Sequence, residues 1–102
     1  MNLFEYFKNK IFSEVEQIFK ERNLSFQIDK EKFTVEPPRE IQYGDFSTNI
    51  CLIYSSQVSM KPIEFAEILK EKLSKFLEIE VVSIKNPGFV NFTIKREFLF
   101  KQ

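Results

Sequence analysis

The residues best suited to chemistry in this sequence are Phe89 and Asn91, which stand one residue apart near the end of the chain. Alternate side chains of an extended strand point to the same face, so the ring and the carboxamide would lie side by side. An aromatic ring can stack on an unpaired base, while an asparagine amide can make paired hydrogen bonds to a base edge, usually that of adenine. The spacing therefore indicates recognition of an unpaired nucleic-acid base.

The pattern alone leaves a structural interpretation open beside this one. Phe89 could pack under the first helix, and Asn91 could hydrogen-bond a neighbouring strand. Asn86 could either cap the preceding turn or contact a ligand as a third polar group. Cations that could contact phosphates are close in sequence: Lys85, Lys95 and Arg96. All six residues are candidates for a nucleic-acid site.

The composition argues against several other kinds of site. Lys and Arg together number 15, as do Asp and Glu, so no overall field attracts nucleic acid or membrane and any such contact must be local. The chain has no histidine and a single cysteine, Cys51, which excludes an internal disulfide and a thiolate metal site. Paired carboxylates without such partners are usually solvated loop acids. A small independent enzyme that uses Glu36, Glu40 and Asp45 is therefore the weakest hypothesis. We predict no catalytic residue and no metal site.

Two amphipathic helices are the clearest elements. Apolar residues at steps of three and four predict a helix from about Asn2 to Arg22, which Asn23 would end. The same spacing predicts a helix that opens near Pro62 and runs to Phe76, with its charged residues facing water. The first segment is apolar only in stripes, so it is neither a signal peptide nor a membrane span, and we expect a cytoplasmic protein.

The segment between these helices carries weaker signals. Alternation over residues 24–28 and 33–35 predicts a half-buried hairpin, which Pro37 and Pro38 would end because proline cannot donate to a ladder. Gly44 can adopt positive φ, and Asp45 or Ser47 would then cap a short helix that ends near residue 56.

Two strands, residues 79–84 and 89–94, are joined by a turn over residues 85–88. Pro87 followed by Gly88 suits a type II turn, whose third position needs positive φ. Helices and antiparallel strands together predict an α+β fold, with about three helices packed on one face of a small, mainly antiparallel sheet of about four strands. Residues 1–102 would form a single domain.

Two motifs carry a family resemblance. GDFSTN, at residues 44–49, and NPGFVNF, at residues 86–92, flank a helix that opens KPIEFAEIL, and each motif contains one of the two glycines of the chain. They closely resemble the N-terminal additional domain of arginyl-tRNA synthetases, over essentially the whole chain. The resemblance implies a domain that holds the elbow of the arginine tRNA and reads a base of its D-loop, at the position called 20.

The resemblance also assigns roles to individual residues. Phe89 would stack on the D-loop base, Asn91 would hydrogen-bond the edge of that base, and Asn86 would be a weaker third contact. The Gly44-Asp45-Phe46 motif would be structural, shaping the loop and the start of the next element, and Gly88 would be structural as well.

Further partners follow from the same resemblance. The nucleotide-binding signatures of the synthetases and their KMSK-type loop have no counterpart, so the catalytic and anticodon-binding domains would lie beyond Gln102. ATP and Mg²⁺ would serve the parent arginine–tRNA ligase, and this fragment would bind no cofactor. The alternative is a protein–protein interaction module or freestanding adaptor of the same fold, with Phe98 and Phe100 as exposed contact residues.

Overall fold

The computed structural model describes residues 2–100, except for the side chain of residue 100. Within these residues, four α-helices and four β-strands follow one another in the order α1, β1, β2, α2, α3, β3, β4, α4. The helices are α1 (Leu3–Glu21), α2 (Ile50–Tyr54), α3 (Pro62–Leu73) and α4 (Arg96–Phe100). The strands are β1 (Val35–Glu36), β2 (Phe46–Thr48), β3 (Ile79–Lys85) and β4 (Phe89–Ile94).

The first helix begins and ends where the sequence predicts. The Asn2 side chain accepts a hydrogen bond from the Glu5 amide, which satisfies one free donor of the first turn. At the other end Asn23 has a φ of 57°, and the Leu24 amide bonds back to the Phe19 carbonyl at 2.9 Å. Within residues 2–100 neither this helix nor any other has the length and apolar character needed to cross a membrane.

The third helix is also confirmed, although it ends at Leu73 and not at Phe76. Pro62 occupies its first turn, and the Glu64 carboxylate accepts a hydrogen bond from the Lys61 amide at 3.0 Å. One stripe of the helix is buried: Phe65, Ala66, Leu69 and Leu73. The helix packs on the sheet by most of the apolar stripe that its sequence predicts, but Ile63, which has the same spacing, is exposed.

The four strands form one antiparallel sheet in the order β1-β2-β4-β3. One row of register partners, Val35, Thr48, Val90 and Ile84, crosses all four strands on the face that packs against the helices. A second row, Phe46, Phe92 and Val82, lies beside it on the same face. The predicted architecture of helices on one face of a four-stranded antiparallel sheet is confirmed.

The predicted hairpin over residues 24–35 is wrong. Residues 24–29 form no strand, and only Val35 and Glu36 join the sheet, where they pair with β2. The Phe26 ring instead packs edge-to-face on Phe12 and Phe19 of α1, at 5.0 and 5.4 Å between ring centroids. The alternating pattern was satisfied by packing on a helix, because burying every second side chain does not require a partner strand.

The predicted caps of the second helix are wrong as well. Phe46–Thr48 is a strand, and α2 begins only at Ile50, whose amide donates to Thr48 Oγ1 at 3.3 Å. Asp45 points to the sheet and accepts a hydrogen bond from the Ile94 amide at 2.8 Å. Residues 46–48 pair with the free backbone N–H and C=O groups along the edge of β4, and this strand pairing outweighed the local helix signal.

The turn between β3 and β4 differs from the predicted type II turn. The Asn86–Pro87 peptide bond is cis, which makes this a type VI turn, and Gly44 is the glycine with positive φ within residues 2–100. The Gly88 amide closes the turn by donating to the Lys85 carbonyl at 3.0 Å. Glycine is needed at position 88 for space, because a Cβ atom there would lie 2.8 Å from Cβ of Pro62.

A small polar cluster ties α1 to the start of β3. The Tyr6 hydroxyl donates a hydrogen bond to Glu78 Oε2, and Lys10 Nζ lies 3.3 Å from the same oxygen. Burial by itself raises the pKa of Glu78, but the hydrogen bond from Tyr6, a backbone hydrogen bond and the Lys10 charge together outweigh it. The pKa of Glu78 therefore lies below its usual range.

We expect Gly88→Ala to lower the free energy of unfolding by about 1–3 kcal/mol, because the new methyl group must displace Pro62. Urea denaturation followed by circular dichroism measures this loss. Glu67→Ala, on the exposed side of α3, is the control and should change the free energy by less than about 0.5 kcal/mol. Equal stability of Gly88→Ala and the control would contradict the close approach.

The Glu78 cluster should make stability depend on pH in the acidic range. Since the folded pKa is lowered, the contacts stabilise the domain above the ordinary glutamate pKa of about 4.3, and this contribution is lost as the pH falls further. We expect Glu78→Gln to reduce stability at neutral pH and to flatten its decline between about pH 5 and 3. Urea denaturation at several pH values tests this, with the exposed Glu80→Gln as control. Parallel curves for wild type and Glu78→Gln would refute it.

Candidate nucleic-acid interface

The face of the sheet opposite the helices carries a row of polar side chains. Register pairs join Glu36 to Ser47, Ser47 to Asn91, and Asn91 to Ser83, so the row crosses all four strands. Because successive side chains of a strand point to opposite faces, these residues point away from the core row that contains Val90 and Ile84. The predicted face of Phe89 and Asn91 is therefore the open face of the sheet.

A concavity of about 440 Å³ lies over this row. Its floor is the sheet, and one wall is the segment after β1, which Pro37 and Pro38 turn out of the ladder. A short 3₁₀ turn, Ile41–Tyr43, completes that segment before β2 begins. The lining residues are Thr34, Glu36, Pro37, Pro38, Arg39, Tyr43, Ser47, Asn49, Lys85, Phe89 and Asn91.

Asn91 is the most unusual residue of the concavity. Its side chain is 2% exposed, and its Oδ1 atom has no hydrogen-bond partner among the described residues. Thr48, the other buried polar residue on these strands, accepts a hydrogen bond from the Ile50 amide. A buried polar atom without a partner costs about 1–3 kcal/mol, and a water molecule or a ligand that supplies the missing donor offsets this cost.

Phe89 and Lys85 stand beside Asn91 at the turn end of the hairpin. They are register partners on β4 and β3, both line the concavity, and the Phe89 ring is half-buried. The Lys85 ammonium lies 4.4 Å from the centroid of the Tyr43 ring and 3.9 Å from Glu40 Oε1. An aromatic ring, an unpaired amide oxygen and a cation therefore border one cavity.

The structure does not bring all the predicted residues together. Asn86 lies exposed in the turn before Phe89 and does not line the concavity. Lys95 and Arg96 follow the other end of β4, which places them roughly 20 Å from Phe89 at about 3.3 Å per residue. Any contact they make with nucleic acid would lie away from the concavity.

The sequence does not predict several polar and aromatic residues of the lining, among them Arg39, Tyr43 and Ser47. Ser47, which the sequence predicts as a helix cap, is a residue of β2 and pairs with Asn91 on the neighbouring strand. For Arg39 and Tyr43 the sequence signal is the pair Pro37 and Pro38, because a chain that proline forces out of the strand ladder then passes along one face of the sheet. Which face it follows depends on tertiary packing.

The Gly44-Asp45-Phe46 motif holds β2 against β4. Gly44 has a φ of 121°, and a Cβ atom there would lie 2.8 Å from the Phe92 carbonyl oxygen. Asp45 makes two bonds to β4, since its amide donates to the Phe92 carbonyl and its carboxylate accepts from the Ile94 amide. The Phe46 ring stacks on the Phe92 ring at 5.5 Å. These contacts set the register that places Ser47 beside Asn91.

The structure also gives the surroundings of three other reactive groups that the sequence analysis considers, Cys51, Glu40 and Asp45. Burial raises the pKa of the Cys51 thiol to about 12, which leaves it protonated and a poor nucleophile. Glu40 lies near Lys85, and the Asp45 carboxylate is bonded to β4. No group of three or more acidic or cysteine side chains in this part of the chain is arranged to hold a metal ion.

The predicted exposure of Phe98 is wrong. Its ring packs against the core, 5.9 Å from the Tyr6 ring and 6.2 Å from the Phe7 ring, because α4 folds back toward α1. The side chain of Phe100 lies outside the described part of the structure. The aromatic pair proposed as contacts for an interaction module is therefore not established as an exposed surface.

Replacing Asn91 tests whether its side chain stabilises the folded domain. We expect Asn91→Leu, which keeps a similar shape and removes the unpaired amide oxygen, to leave the free energy of unfolding unchanged or to raise it by up to about 1 kcal/mol. The matched control is Thr48→Val, which removes a buried hydroxyl that is hydrogen-bonded and should cost about 1 kcal/mol. Urea denaturation compares the two. A loss for Asn91→Leu as large as that for Thr48→Val would show that Asn91 serves the fold.

Comparison with known proteins supports the resemblance carried by these motifs. The family described as the arginyl tRNA synthetase N terminal domain matches residues 5–94. The chain is 33% identical to an arginine–tRNA ligase of Parvibaculum lavamentivorans over 98 residues, which are 96% of this chain and 17% of that protein. It is 36% identical to an arginine–tRNA ligase of Rhizobium rhizogenes over 94 residues, which are 92% of this chain and 16% of that protein.

The chain thus spans about a sixth of the length of the curated relatives it matches. Both motifs, the concavity and the whole four-stranded sheet lie within the matched residues. The match covers 90 residues of a chain of 102. The chain belongs to the family of arginyl-tRNA synthetase N-terminal domains.

Proposed function

We propose that this domain binds the elbow of the arginine tRNA and reads a base of its D-loop, as the recognition part of an arginine–tRNA ligase. The observation that carries the proposal is the buried Oδ1 atom of Asn91, which has no partner within residues 2–100 and lies in a concavity beside a half-exposed aromatic ring. Base edges present N–H donors that fit such an acceptor, and unpaired bases stack on aromatic rings. The site is chemically suited to a flipped-out base.

The proposal gives each candidate residue a role in tRNA binding. Phe89 stacks on the base, Asn91 bonds to its edge, and Asn86 contacts the neighbouring nucleotide from the exposed turn. Lys85 meets a phosphate at the rim of the concavity. Lys95 and Arg96 meet phosphates further along the RNA, because they lie at the opposite end of β4.

The magnitudes fit a domain that adds specificity and does not bind strongly alone. Stacking of one base contributes roughly 1–3 kcal/mol, and a good paired contact to a base edge discriminates by about 1–3 kcal/mol. A millimolar dissociation constant already requires about 4 kcal/mol, and this chain has no net charge to add to it. In a full-length enzyme the remaining domains would hold the tRNA, so these contacts become intramolecular and a small increment suffices.

The proposal includes the parent enzyme. The relatives named arginine–tRNA ligase are about six times as long as this chain, which leaves room for the catalytic and anticodon-binding domains. ATP and Mg²⁺ would bind to the catalytic domain, which is the second partner of this one, and the reaction would take place in the cytoplasm. The residues described here would take part through tRNA binding alone.

The test is a titration of isotope-labelled domain with arginine tRNA transcripts that differ only at D-loop position 20. We expect the NMR signals of Phe89, Val90, Asn91 and Asn86 to shift to an extent that depends on the base. Phe89→Ala should weaken binding by about tenfold, which corresponds to the loss of one stacked base. Lys70→Ala, on α3 at the other side of the domain, is the control.

Two outcomes would contradict the proposal. If the concavity signals do not move at high tRNA concentration, the domain does not read the RNA through this site and an interaction with another protein becomes the better explanation. If they move equally for all four bases, the domain binds the elbow without reading it.

A further inference from the structure

Lys85 is held by two residues of the segment opposite its strand. Its ammonium lies 3.9 Å from Glu40 Oε1 and 4.4 Å above the Tyr43 ring. Glu40 and Tyr43 are connected by the 3₁₀ turn, in which the Tyr43 amide donates to the Glu40 carbonyl at 3.0 Å. The second carboxylate oxygen of Glu40 accepts a hydrogen bond from Gln42 at 3.0 Å. The turn thus presents an anion and an aromatic face to the same cation.

The two contacts differ in how easily a ligand can replace them. The Lys85 and Glu40 side chains are 43% and 53% exposed, and a pair at 3.9 Å in such surroundings is weak. The Tyr43 ring is half-buried and lines the concavity, and a cation over an aromatic face remains free to contact an anion on its other side. An incoming phosphate would therefore compete with Glu40 and not with Tyr43.

We propose that Lys85 contacts RNA by exchange of partners, in which a phosphate replaces Glu40 beside the ammonium while Tyr43 keeps the ammonium at the rim of the concavity. The inference rests on the proposed function and names two positioning residues for it. Glu40 lowers the affinity of the free domain for any polyanion, because its charge must be displaced before the phosphate binds. Tyr43 sets where that phosphate lies relative to the base on Phe89.

This exchange bears on specificity. Without Glu40, Lys85 would attract every phosphate equally, since electrostatic contacts to the backbone carry no sequence information. With Glu40 in place, the phosphate contact gives little net gain, and the base contacts of Phe89 and Asn91 decide whether the RNA stays bound. A weak internal counter-ion thereby shifts the balance from backbone attraction toward base recognition.

The test is a double-mutant cycle on Glu40 and Lys85, with tRNA affinity measured by titration at about 50 mM salt. We expect Glu40→Gln to bind the arginine tRNA about two- to fivefold more tightly than wild type. In a Lys85→Gln background the same change should have less than about 1.5-fold effect, because the competing pair is already absent. Glu67→Gln, which removes a charge from the exposed side of α3, is the matched control and should behave like wild type.

Tyr43 is tested by the salt dependence of binding. Tyr43→Phe keeps the aromatic face and should match wild type, whereas Tyr43→Leu should weaken binding and reduce the slope of affinity against salt to that of Lys85→Gln. A purely structural role for Tyr43 would change affinity without changing the slope. Urea denaturation of each variant shows whether it remains folded at the temperature of the titration.

The outcomes separate this inference from the proposed function. If tRNA does not shift the signals of the concavity in wild type, both are overturned. If tRNA binds there but Glu40→Gln leaves the affinity unchanged, or tightens binding equally with and without Lys85, the exchange is overturned and base recognition stands. A Tyr43→Leu variant with the wild-type salt slope would remove Tyr43 from the inference.

Discussion

The pairing of β2 with β4 is the interaction on which the candidate site depends. β2 has only three residues, Phe46–Thr48, and a strand of that length has few ladder bonds of its own. Asp45 adds two hydrogen bonds to β4, and the Phe46 ring stacks on Phe92 in the core. Gly44 allows this close approach because it has no Cβ atom to meet the Phe92 carbonyl. The register that results sets Ser47 next to Asn91 on the open face and Phe46 next to Phe92 in the core.

The two faces of this sheet have different roles. The rows of Val90 and Phe92 pack under the helices and supply burial, which is the main favourable term in folding. The opposite face carries serines, Asn91 and Phe89, and it buries an amide oxygen without a partner. Natural proteins break such rules at functional sites, and a bound ligand is one way in which a buried acceptor gains its donor. The location of this unpaired group therefore supports the candidate site more directly than the cavity shape does.

The charges around the concavity bear on the proposed contact with RNA. Lys85 and Arg39 line the concavity, but Glu36 lines it too and Glu40 lies beside Lys85. Their opposite signs prevent a strong local field, so nonspecific attraction of nucleic acid is small. Under the proposed function, such a surface would add discrimination to a tRNA that other domains already hold, and strong independent binding would give no further advantage.

The sequence by itself determined the two long helices and the last two strands, because regular spacing of apolar residues reports directly on burial. The same spacing showed that Val90 and Phe92 face the core, and so placed the candidate pair Phe89 and Asn91 on the opposite face of β4. It did not determine the path of residues 24–48. There the alternation of Leu24 and Phe26 and the cap signals near Gly44 are local patterns that a helix face or a strand edge can satisfy equally well. Only the tertiary structure decided between them, since the free edge of β4 and the rings of α1 come from distant parts of the chain. The same long-range packing brought Tyr43 and Glu40 to Lys85 and left the Asn91 oxygen unpaired, which no local pattern encodes.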